Sequence, residues 1–294
     1  MIAVTRVGFP GWEAHPDVWL IVGLVSALYF IAVRRVGPTM VRVGEVVVTR
    51  RHISCVAAGI GVIWIASDYP IHDLAERYLF SIHMTQHLMY SMIAAPLLIF
   101  ACPPWMARYV LETTRTLGLV RQLSRLVPAI VLFNVVLVIT HLPAVVSLSL
   151  NSGWIHFAVH CLVLGSGLVL WMPILSPIPE VPRLQPPLQM LYLFTQSVLP
   201  TIPAAFLAYG SHAVYRDYET FDRLYGTSVK SDQTIAGLIM KSGAGLMLWA
   251  VIAIVFFRWF NAEEGPVRHQ RGTARTTSNA AAPVDLDREL LGLP

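Results

Sequence analysis

A chain of 294 residues that is 55% hydrophobic and only 13% charged, with a mean hydropathy of +0.61, carries more apolar surface than a soluble fold of its size can bury. That composition excludes an ordinary soluble enzyme or binding module and calls for a lipid bilayer as solvent. The net charge of +4 is then a matter of topology and not a nucleic-acid footprint, so no nucleic-acid partner is expected.

In chain order, seven apolar stretches approach the roughly 20 residues that a spanning helix needs. They cover 18–33, 52–67, 78–101, 126–142, 154–175, 188–209 and 234–257, the second being short. The sequence therefore predicts an all-α, polytopic membrane bundle of seven transmembrane helices over residues 1–260. Arg34, Arg35, Arg42, Arg50 and Arg51 fall between helices 1 and 2, and Arg108, Arg115, Arg121 and Arg125 between helices 3 and 4. With Arg183 and the five arginines from Arg258 onward, 15 of 21 basic residues lie on one side. Cytoplasmic loops retain such residues, which puts the N-terminus outside and the C-terminus in the cytoplasm. No basic stretch or small-residue cleavage site precedes helix 1, so it is expected to be retained.

Punctuation along the chain is supplied by proline and by shifts of composition. Pro143 ends or kinks helix 4, and Pro200 and Pro203 interrupt helix 6, where freed backbone groups need partners. Residues 210–231 mix aromatics with charges and predict either a folded cap or a docking surface. From Asn261 the sequence turns to Glu263, Glu264, Gly265 and Pro266, then Arg, Thr, Ser and Ala. Residues 261–294 are accordingly expected to be a disordered cytoplasmic tail. Cys55, Cys102 and Cys161 occupy three different spans with no CxxC pattern, so no disulfide framework is expected.

Histidine is the residue that these spans do not explain by themselves. His83 and His87 are four apart in helix 3, as are His156 and His160 in helix 5. That spacing sets both imidazoles of a pair on one helix face, about 6 Å apart. On the predicted topology eight of the ten histidines belong to the outer half: His15, His72, His83, His87, His141, His156, His160 and His212. Counting 1.5 Å per residue from the outer surface, His83 and His87 lie about 8 and 14 Å deep, His156 and His160 about 3 and 9 Å. The pairs thus overlap in depth, with His72 and His141 at neighbouring levels. Imidazole is the commonest protein ligand for copper and zinc, and ionisable groups inside a bilayer are costly enough to be functional by default.

Other chemistries fit the spacing less well. The HxxxH run has Met84 where a zinc peptidase needs its glutamate, so hydrolysis has no general base on that helix. Two stacked haems would need histidines several turns apart, although a single bis-histidine haem stays open. Asp68, Asp73, Glu76 and Arg77 rim the entrance to helix 3, where they attract cations, orient imidazoles from behind, or serve as ordinary helix-start charges. Lys241, seven residues into helix 7, either snorkels outward or pairs with a carboxylate such as Asp68 or Asp232. Asn134 and Gln196 are expected to hydrogen-bond between helices.

The run Pro70 to Leu88, PIHDLAERYLFSIHMTQHL, resembles the CtaG family associated with caa3-type cytochrome c oxidase. So do Pro96 with Pro103, His141-Leu142-Pro143, His156 with His160, Trp171-Met172-Pro173-Ile174-Leu175, Asp232-Gln233 and Gly237-Leu238-Ile239-Met240. The resemblance spans roughly 15–258 and is distinct from the single-span copper chaperone that shares the CtaG name. It departs at Lys241, where relatives usually have an aromatic. It implies a multi-pass protein of the bacterial plasma membrane, required for assembly of a haem-copper oxidase and acting without covalent turnover.

Together the residues and the resemblance yield a functional expectation. The protein binds copper through His83, His87, His156 and His160, with His72 and His141 as entry or additional ligands, and supplies it to an oxidase subunit. A copper donor on the outer side would load it. The alternative is a copper transporter across the plasma membrane, with helix 6 and Lys241 in its path. A third class is a membrane cytochrome, and a fourth a scaffold whose histidines merely pack.

Overall fold

The computed structural model describes residues 11–280, and the described residues are helical throughout their regular structure, with no strand. Among the described residues five helices are long and apolar enough to cross a membrane: α1 (Pro16–Met40), α4 (Phe80–Ala101), α9 (Gly153–Leu175), α10 (Pro186–Tyr209) and α11 (Val229–Glu263). Two further crossings exist only if bent pairs count as one. One joins α2 (Arg50–Ser67) to α3 (Ile71–Arg77) through 41°, the other joins α6 (Leu117–Leu123) to α7 (Leu126–Thr140) through 87°. The short helices α5 (Pro104–Thr113) and α8 (Pro143–Asn151) complete the set. All seven expected spans fall on helices, and their number as crossings lies between five and seven. Beyond Glu263 the last helix is continuous to Ala280, so residues 261–280 of the expected tail are helical and 281–294 lie outside the described residues.

Burial ranks these helices. Within its apolar window α4 is 61% buried, whereas α1 is not buried at all and presents Leu20, Leu24, Leu28 and Phe30 outward. A helix that is apolar all round yet exposed is matched to lipid, and the one at the hub must satisfy its polar side chains within the protein. The helix that carries His83 and His87 is therefore the central one. Its Met92 and Ile99 pack with Phe133, Leu170, Trp171 and Leu248 in the main apolar core.

Several of the polar contacts that hold α4 are made by residues far off in sequence. Its first turn, preceded by Leu79 with no capping side chain of its own, is closed by the buried Asp232 of α11. The Phe80 and Ser81 N–H groups donate to its two carboxylate oxygens at 2.7 and 3.2 Å, satisfying helix-start donors with a negative charge. Gln86, between the two histidines, donates to the Ala66 carbonyl at the end of α2 at 2.6 Å. Trp171 on α9 donates to the Ser91 carbonyl at 2.9 Å. Here α4 passes through a π-turn, Met89–Ala94, immediately after the histidine pair. Gly167 of α9 lies so close to it that a Cβ would sit 2.7 Å from Ser91 Cα.

Residues 210–231 fold as a cap rather than standing free. Tyr218 is fully buried with its hydroxyl 3.4 Å from the Ala75 carbonyl, and Tyr215 donates to the His141 carbonyl at 2.8 Å. Burial pushes both hydroxyls well above the ordinary tyrosine range, so they remain protonated donors. Gln233 locks the cap by accepting from the Val214 and Tyr215 N–H groups and donating to the Tyr215 carbonyl.

The expected break in α10 is present at Leu199 and Pro200, between Val198 and Thr201. Lys241, within the π-turn Ile239–Gly243 of α11, serves this break. Its Nζ donates to the Ser197 carbonyl at 3.1 Å and to Thr201 Oγ1 at 2.5 Å. The expected pairing with Asp68 or Asp232 does not form. Asp68 instead accepts from the Trp19 and Trp64 indoles, and Asp232 caps α4. Asn134 does donate to Gln196 between helices, at 2.8 Å. His52 closes a capping box with Thr49 at the start of α2, which accounts for it structurally.

Candidate metal centre

The helix ends that gather at the cap bring seven histidines into one connected cluster. From the surface inward the rings run His15 to His72 (5.0 Å between centroids), His72 to His156 (5.5 Å) and His156 to His160 (4.2 Å). His83 lies 5.5 Å from His156 and 5.7 Å from His160. His87 lies 4.4 Å from His83, 5.4 Å from His160 and 5.8 Å from His141. The four-residue spacing on α4 and α9 works as helix geometry requires: each pair shares a face, and the two faces meet.

Within this cluster the ligand atoms converge in two groups. His83, His87 and His160 each offer a nitrogen within 4.8 Å of the others, and so do His72 and His156 together with a carboxylate oxygen of Glu76. Zinc or copper bound to imidazole at about 2.0–2.1 Å holds neighbouring nitrogens ~3.3 Å apart, so either group needs only a modest contraction to close on an ion.

Hydrogen bonding shows what these nitrogens lack. His83 Nδ1, both nitrogens of His87, His156 Nε2, His160 Nε2 and His72 Nδ1 are buried and have no hydrogen-bond partner. Buried polar atoms are ordinarily paired, and each orphan costs about 1–3 kcal/mol. A packed scaffold histidine would have been given a carbonyl or hydroxyl, as His141 has been. An ion in the centre would take the lone pairs that the protein leaves unused.

Five of the six predicted ligands are thus divided between the groups in an unforeseen way: His83, His87 and His160 in one, His156 and His72 in the other. His141 joins neither. Its Nδ1 lies 2.7 Å from the Leu137 carbonyl, which assigns the proton there and leaves the Nε2 lone pair facing Met84 Sδ at 3.3 Å. Glu76, expected to act from behind the imidazoles or as a rim charge, is itself among the converging atoms. Its spacing from His72 is also four residues, a signal that the sequence contained. His15 binds Asp73 at 3.1 Å beside His72 and belongs to the periphery of the cluster.

Below His87 the cluster opens on a cavity of about 50 Å³ lined by Met84, Met92 and Met240 among apolar neighbours, with Gln196 and Thr140. Thioethers suit Cu(I), and this volume is enough for one water-sized occupant.

The sequence model of a family described as cytochrome c oxidase caa3 assembly factor (Caa3_CtaG) matches residues 27–262. No curated protein and no solved structure gives a match.

Proposed function

The chain belongs to the cytochrome c oxidase caa3 assembly factor family, and from that premise we propose that it binds copper at His83, His87 and His160 and hands it to an oxidase subunit during assembly. The observation that carries this reading is the set of buried, unpartnered histidine nitrogens converging from α4 and α9. Imidazoles in that state are neutral ligands prepared for a metal and deprived of any other partner. His156 stands one helical turn from His160 and His72 beyond it, along the way in from the cap. The protein acts by holding and releasing an ion, with no covalent step.

On this reading the protein is a seven-span protein of the bacterial plasma membrane with its histidine end outside. The 15 of 21 basic residues that the predicted topology places at the opposite side support that orientation. The ion would come from a donor on the outer side, and the acceptor would be a copper-bearing oxidase subunit exposed there.

The test is metal content by mass spectrometry on detergent-purified protein, wild type beside the His83→Ala/His87→Ala double variant, with an absorbance spectrum to detect haem. Near-stoichiometric copper, lost in the variant, is expected. Wild type that stays copper-free after loading under reducing conditions would sink the assignment.

One observation favours a second reading, copper transport across the membrane: the methionine-lined cavity continues inward from His87 towards the break in α10. Copper flux into sealed vesicles containing the protein distinguishes transport from delivery, since delivery requires binding without flux.

A further inference from the structure

We propose that the protein carries a second metal site, distinct from the buried triad, in which His72, Glu76 and His156 hold a divalent cation near the cap. The claim that an ion passes from it to the triad rests on the copper reading above. The existence of the site does not.

Geometry carries the assignment. Glu76 Oε1 lies 3.5 Å from His72 Nε2 and 3.4 Å from His156 Nε2, so one oxygen faces two imidazole nitrogens. His72 and Glu76 are four apart on α3 and share a face, while His156 reaches them from α9. Neither imidazole contact has hydrogen-bond quality: at 3.4 Å, His156 Nε2 remains without a hydrogen-bond partner. The His156 ring is nonetheless held in place, because its Nδ1 lies 3.2 Å from Ser149 Oγ on α8. A ring fixed at one nitrogen, with the other aimed at a carboxylate and unbonded, is how metal-ligating histidines are usually supported.

The two sites differ in chemistry and in access. His83 and His87 are 6% and 7% exposed and their group is all nitrogen and uncharged. The shallower group adds a negatively charged oxygen, and the Glu76 side chain is 32% exposed. A carboxylate lowers the cost of bringing a doubly charged ion out of water and favours Zn²⁺ or Cu²⁺ over Cu(I). No ligand is shared between the groups. They are nevertheless adjacent, since the rings of His156 and His160 are 4.2 Å apart on the same helix. An ion leaving Glu76 therefore meets its next imidazole one turn further in.

Zn²⁺ binding to the full-length protein in detergent, counted by mass spectrometry after gel filtration and titrated by calorimetry, tests the proposal. Wild type is expected to take up two ions per chain, Glu76→Gln one, and His83→Ala/His87→Ala one. His72→Ala, which removes a different ligand of the same site, is expected to match Glu76→Gln. Wild-type stoichiometry and affinity in both Glu76→Gln and His72→Ala would overturn the second site. So would a single ion per wild-type chain that the helix α4 double variant alone abolishes, which leaves the triad intact as a reading. A single ion lost in Glu76→Gln but kept in the double variant would confirm the second site and overturn the triad.

Discussion

Replacing Gly167 with alanine should weaken metal binding at the triad without touching a ligand. The added Cβ would lie 2.7 Å from Ser91 Cα, 3.0 Å from the Ser91 carbonyl oxygen and 3.1 Å from Ser91 Cβ. Carbon atoms pack comfortably at about 3.5–4.0 Å, and the first two obstacles are backbone that cannot rotate aside. The helices must separate by about 1 Å, at a cost of about 1–3 kcal/mol for overpacking. His83 and His87 ride on α4 and His160 on α9, with their ligand atoms within 4.8 Å of one another, and an ion needs ~3.3 Å between them. The displacement is therefore in the direction that binding must reverse. Disturbing the support of a metal ligand typically weakens affinity about 10–100-fold, and that is the loss expected here. Gly165 supplies the control, because a Cβ there meets nothing within 4 Å. Competition against a chromophoric chelator measures both variants in detergent, alongside thermal unfolding. Wild-type affinity in Gly167→Ala, or equal losses in the two variants, would refute the argument that this contact sets the distance between the ligands.

Asp232→Ala should cost about 3–6 kcal/mol of stability, since two backbone donors lose a charged acceptor, and Asp232→Asn about half of that; thermal unfolding that leaves Asp232→Ala unchanged would contradict the cap on α4. Lys241→Met removes the donors to Ser197 and Thr201 at the α10 break and should lower stability by about 1–3 kcal/mol while leaving the metal count unaltered, so a loss of metal would place Lys241 at the site instead. Arg108 donates to Glu180 at 2.7 Å and holds that carboxylate below its ordinary value of 4.5. A carboxylate lowered in the folded state contributes stability above its unfolded pKa and loses it as pH falls through the folded value, so hydrogen exchange across residues 176–184 should rise only below about pH 4.5, and Arg108→Gln should remove that dependence.

What the sequence made legible, and what it did not, follows from the range over which each signal acts. The paired histidines announced themselves because four-residue spacing is local, and a helix converts it into a shared face whatever surrounds it. Proline at position 200 announced a break for the same reason. The partner of that break is not legible: the sequence offers Lys241 a path outward to water or a visible carboxylate, whereas a carbonyl freed by a broken helix leaves no mark in it. Asp232 likewise enters the sequence reading as a carboxylate within reach of Lys241, while in the structure it closes a helix 152 residues earlier in the chain. Glu76 falls between these cases. Its spacing from His72 is as regular as that of the histidine pairs, but α3 is a short helix set off from α2 by a 41° bend, and the approach of Glu76 to His156 on α9 is a matter of packing. The division of the histidines into two groups depends on this packing and on the approach of α9 to α4 at Gly167, neither of which any periodicity encodes. A neutral triad at the hub of the bundle and a carboxylate-bearing site at its rim are thus separated by packing, and the same four-residue step on α9, His156 to His160, is what joins them.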